Sequence, residues 1–86
     1  MKTNEKTVKM AARLYECRDT AKRFLGSEYK AKLESYLSNL RKVMDVEGVG
    51  AIEALLVISK LPHYAESGFI QMMYMAAVVE IIEPSK

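Results

Sequence analysis

Few residues in this 86-residue chain could do covalent chemistry, and none of them stands in a catalytic arrangement. His63 is the single histidine and Cys17 the single cysteine. One of each is too few for the usual zinc set within one chain. His63 follows Pro62 in a predicted connection, where it reads as a locally hydrogen-bonded loop residue. A general base there needs a nucleophile folded beside it, from among Cys17, Ser27, Ser35, Ser38, Ser59, Ser67 or Ser85. None of these serines sits in a Gly-x-Ser-x-Gly elbow. Cys17 lies on a heptad seam, which suits a small buried residue better than a reactive thiol. Gly48-Val49-Gly50 lacks the preceding strand and the Lys-Ser/Thr ending of a phosphate loop, and reads as a turn. The acids mostly stand beside Lys or Arg at helical spacing, as on a solvated face rather than as paired carboxylates in a cleft. The expectation is a chain that is not an enzyme and holds no metal or cofactor.

Binding chemistry has more material. Lys2, Lys6, Lys9 and Arg13 are spaced four, three and four apart and predict a basic ridge along one helix. Arg18, Lys22 and Arg23 extend it, and Lys30 and Lys32 begin the next helix. A turn between the two helices would gather Lys22, Arg23, Lys30 and Lys32, a cluster suited to phosphates. Tyr15 and Tyr29 would add stacking faces for bases. Glu16, Asp19, Glu28 and Glu34 interleave with these cations, so an ordinary solvated face is the competing account.

The last part of the chain poses a different question. From Phe69 to Ile82 only Gln71 and Glu80 are strongly polar. Glu80 must be exposed, paired or protonated in such surroundings. With Gln71 and Glu83 it would mark one wet stripe; alternatively it pairs with a partner's cation. Met72, Met73 and Met75 cluster beside Tyr74, and methionine suits adaptable binding surfaces. A helix apolar nearly all round must be covered nearly all round. We therefore expect Phe69, Met72, Met73, Met75, Val78, Val79 and Ile82 to face another chain, with the preceding apolar segment sharing that role.

The elements that would position these residues are helices. Gly26-Ser27, Gly48–Gly50, Pro62 and Ser67-Gly68 cut the chain into four segments, and no hairpin signal or sustained period-two run occurs. The spacing predicts helices at about 4–25, 28–46, 51–61 and 67–83. Thr3 or Asn4 would cap the first and Ser27 the second. Leu14, Cys17, Ala21 and Phe24 continue the seam of the first, begun at Thr7 and Met10. Tyr29, Leu33, Tyr36, Leu37, Leu40, Val43 and Met44 fall on one face of the second. These two should form an antiparallel hairpin across a Gly-Ser turn. For 51–61 a buried strand is the rival, since Leu55 to Ile58 is an unbroken apolar run. The fold class is all-α, a single small four-helix domain.

Composition bounds the rest. The chain is 9.7 kDa, 50% hydrophobic and 28% charged, with a net charge of +2. That is a globular balance for one thin-cored domain. The charge is uneven: residues 1–47 hold eleven Lys/Arg and seven Asp/Glu, residues 48–86 two and four. No apolar stretch reaches the ~20 residues that span a bilayer. No secretory signal or lipidation motif is expected, and a lone cysteine fits a reducing, cytoplasmic setting. The expected function is that of a helical interaction module, a homo-oligomer and most simply a dimer, acting as adaptor, regulator or stoichiometric inhibitor on an unidentified protein. Inhibitors encoded by phage or mobile elements share this size and helical character, an analogy of size alone. The alternative is a protein that binds a phosphate ligand, nucleotide or nucleic acid through the basic hairpin.

Overall fold

A computed structural model describes residues 5–84 of the chain, with side chains from residue 11 onward. The expected caps at Thr3 and Asn4, and the side chains of Thr7 and Met10, lie outside the described residues. Every described element is helical: α1 (Glu5–Leu25), a short 3-10 turn (Gly26–Glu28), α2 (Tyr29–Glu47), α3 (Ala51–Ile58), α4 (Pro62–Glu66) and α5 (Gly68–Ile82). The 51–61 segment is thus helix rather than strand. It stops at Ile58 because the ladder tightens there: Lys60 N donates to Val57 O and Leu61 N to Ile58 O.

The breakers act where the sequence placed them. Gly26 and Gly48 take φ of 56° and 65°, the left-handed conformation that glycine adopts without a Cβ clash. Gly48 closes α2 by donating its N–H to Met44 O. Ser67 caps α5, its Oγ accepting from Ile70 N at 3.3 Å. Ser27 does not cap α2; it lies within the 3-10 turn, and Glu28 precedes the helix without a side-chain cap. Pro62 opens α4, a one-turn helix that the sequence pattern treated as a connection.

The molecule is organised around α5. Met73, Ala76, Ala77, Val78 and Val79 have no exposed surface. α1 runs antiparallel to α5: Phe24 near its end stacks edge-on with Phe69, while Tyr15 and Arg18 reach Glu83. α2 packs on both α3 and α5, and Tyr36 meets Tyr74 edge-to-face at 4.9 Å. Asn39 Nδ2 donates to the Tyr74 hydroxyl at 3.2 Å, so that buried phenol keeps a partner. α4 is held to α5 by Gln71 Nε2 donating to Tyr64 O at 3.0 Å.

Two expectations change. α1 and α2 approach closely only around the Gly26 turn, so they do not lie side by side as a packed hairpin. Their apolar stripes (Leu14 and Ala21; Tyr29, Leu33 and Leu40) are buried mainly on the later helices, which leaves little to join them to each other. Phe24, predicted on the buried seam, is 72% exposed, although its ring meets Phe69 at the start of α5 edge to face.

Candidate functional site

Two surfaces survive as candidates, one basic and one apolar. The basic one is an open groove of about 510 Å³ where α1, α2 and the end of α5 meet. Lys22 of α1 and Lys30 and Arg41 of α2 supply its cations; Tyr29, Leu33 and Leu37 give it an apolar floor; Glu34 and Glu80 line it too. Lys30, Glu34, Leu37 and Arg41 are four, three and four residues apart, so α2 presents them along one side.

The floor of the groove is pinned by a polar network. The Tyr29 hydroxyl donates to Glu80 Oε2 at 2.9 Å. Burial first, and that carboxylate second, hold the Tyr29 phenol well above its usual pKa. The Lys22 ammonium lies 5.8 Å from the centre of the Tyr29 ring. Beside it the Tyr15 hydroxyl donates to Glu83, and this bond raises the Tyr15 pKa. Arg18 sits 5.3 Å from the Tyr15 ring centre and donates from Nη1 to Glu83 O at 3.4 Å. Its Nε, 3.9 Å from Asp19, has no hydrogen-bond partner among the described residues.

Of the predicted phosphate residues, the structure brings Lys22 and Lys30 to this groove. Arg23 and Lys32 are exposed but do not line it, and Tyr15 is committed to Glu83. Arg41 was missed; its signal was the eleven-residue spacing from Lys30, three turns along one side of α2. Lys2 and the side chains of Lys6 and Lys9 lie outside the described residues, so the ridge is represented by exposed Arg13. Glu80, left as wet stripe or partner contact, accepts from a tyrosine of its own chain.

The apolar surface is not where α5 was expected to provide it. Met73, Val78 and Val79 are fully buried within the chain, and Met72 and Met75 are partly so. Of the predicted interface, Phe69 and Ile82 are exposed, at 36% and 51%. The chain's own helices cover α5, so its apolar circumference does not call for another molecule. The uncovered apolar surface belongs to α3 and its flanks instead: Ile52, Leu56, Val57 and Leu61 are exposed, as is Val46 at the end of α2. Ala51, Ala54 and Ile58 on the other side of α3 are buried.

His63 is exposed on α4. Cys17 is half-buried with Sγ 3.4 Å from Met75 Sδ, and burial raises its pKa, the reverse of an activated thiol. Among the described residues no group of three or more His, Cys, Asp or Glu could hold a metal ion. No described helix is long and apolar enough to cross a membrane. Comparisons with protein-family models, curated proteins and solved structures find no match to this chain.

Proposed function

We propose that the chain is a non-catalytic helical interaction module that assembles with itself and acts through its surface, as an adaptor, regulator or stoichiometric inhibitor. The observation that carries this is the uncovered apolar surface of α3 and its flanks: Leu56 is 56% exposed, Leu61 just beyond the helix 44%, and Val46, which shares a groove with Val57, 81%. Single exposed apolar residues are ordinary, but several gathered on one short helix and its flanks suit an interaction site. Light scattering tests self-assembly directly. A molar mass near twice 9.7 kDa is expected at high concentration, and a mass of 9.7 kDa throughout refutes it.

A second reading is favoured by the basic groove. Lys22, Lys30 and Arg41 around an apolar floor suit a phosphate-bearing ligand, such as a nucleotide or single-stranded nucleic acid. Glu34 and Glu80 in the same lining work against it. Titration of a fluorescent oligonucleotide at low and moderate salt decides the matter. Steep loss of affinity with salt, and its abolition in Lys22→Glu/Lys30→Glu, supports the reading; no binding at low salt removes it.

A further inference from the structure

The outward face of α3 reads the same in both directions. Ile52, Glu53, Leu56, Val57, Lys60 and Leu61 are all exposed. Glu53, Leu56, Val57 and Lys60 are spaced three, one and three apart, one side of a helix, with Ile52 and Leu61 flanking them. Beyond Ile58 the chain keeps turning for one tighter turn: Ser59 N bonds back to Leu55 O, and Lys60 N and Leu61 N to Val57 O and Ile58 O, before the backbone becomes extended at Leu61. The centre of this set falls between Leu56 and Val57. Reflecting the sequence about that point exchanges Ile52 with Leu61, Leu56 with Val57, and Glu53 with Lys60. Apolar residues therefore map onto apolar residues, and the acid maps onto the base.

An interface across a two-fold axis uses the same patch on both copies; where the axis crosses the helix at its midpoint, each residue meets its own reflection. We infer that α3 is the self-association surface, pairing antiparallel with α3 of a second copy. This rests on the self-assembly proposed above and specifies its geometry. In that pairing Glu53 of each copy faces Lys60 of the other, twice per dimer. A parallel pairing would set Glu53 against Glu53 and Lys60 against Lys60, so the charges choose the direction. Among the described residues neither makes an ion pair within its own chain, and both remain available. Val46 and Val57 line one shallow groove of about 180 Å³ with Val43, Lys42 and Glu47, so the end of α2 extends the patch at its side. Two turns of helix are small beside the ~800 Å² per partner of a standard interface, so the dimer belongs to the weak, exchanging class.

The test is sedimentation equilibrium from ~10 μM to ~1 mM, the range in which weak self-association is read. The wild-type chain is expected to pass from monomer to dimer. Glu53→Lys and Lys60→Glu should each weaken the dimer by about tenfold, since each places like charges at both contacts. The double variant Glu53→Lys/Lys60→Glu should recover it. Mixing the two single variants should give a heterodimer tighter than either homodimer. Leu56→Lys should abolish association, with circular dichroism confirming an unchanged helical fold. A wild-type dimer whose dissociation constant ignores all these substitutions overturns the α3 pairing but leaves self-assembly standing. A wild-type chain that stays monomeric at the highest concentration overturns both.

Discussion

Tyr29 shows what single residues contribute here. Its ring lies in the core and its hydroxyl in a hydrogen bond to a carboxylate. Tyr29→Phe leaves Glu80 without that donor and should cost about 1–2 kcal/mol in urea unfolding near neutral pH. The same contact sets an alkaline limit. The phenol's pKa is raised in the folded state above the ~10 expected of the unfolded chain. Its contribution is therefore fully present below pH ~10 and is lost as pH rises further toward the folded value. Stability measured from pH 8 to 12 should fall in the upper part of that range. Tyr29→Phe should shrink the fall without removing it, because Tyr15, Tyr36 and Tyr64 are also raised. Helical spacing was enough to place Tyr29 on the buried face of its helix. Its bond to Glu80 was not legible, because the partners stand 51 residues apart and only tertiary packing sets their register.

Elements begin and end here by local chemistry, which is why their boundaries were largely readable. Gly48 and Gly50 flank one turn but differ in need. Gly48 has φ of 65°, so Gly48→Ala should cost about 1–2 kcal/mol. Gly50 is extended, and an added Cβ would meet only the flexible Glu53 carboxylate at 3.3 Å. Gly50→Ala should therefore stay within ~0.5 kcal/mol of the parent. Ser67→Ala, which removes the cap of α5, should fall between them at about 1 kcal/mol. Matched urea titrations rank the three. α4 escaped the sequence reading because five residues are too few to show a 3.6-residue period. The 3-10 turn escaped because Ser27 resembles a helix cap in type while its backbone serves the turn.

At the scale of the whole molecule, the surplus of apolar helix was legible but its location was not. α5 looked too apolar for one chain to cover. Ala76 and Ala77 change that, because small side chains let neighbouring helices approach closely on more than one side. α3 is more modest in sequence yet keeps a bare face, because its eight residues reach α2 and α5 on one side only. Val78→Asp should therefore abolish the circular-dichroism melt of the fold itself, rather than release a folded monomer from an assembly. A charge placed at a site with no exposed surface has neither water nor a partner. The basic groove was half legible: two of its cations lie near the turn, while the third needed the length of α2.

The central place of α5 also bears on how the protein is made. A ribosome delivers α1 to α4 before the helix on which α1, α2, α3 and α4 all pack. Contacts such as Tyr15 with Glu83, 68 residues apart, can form only when synthesis has passed α5. Until then the stripe of α1 has nothing to close over and that of α2 has only α3, the partly covered state in which chaperones and proteases find their substrates. A stall or nonsense codon ahead of Phe69 would thus not yield a smaller version of this domain. It would yield helices without a centre.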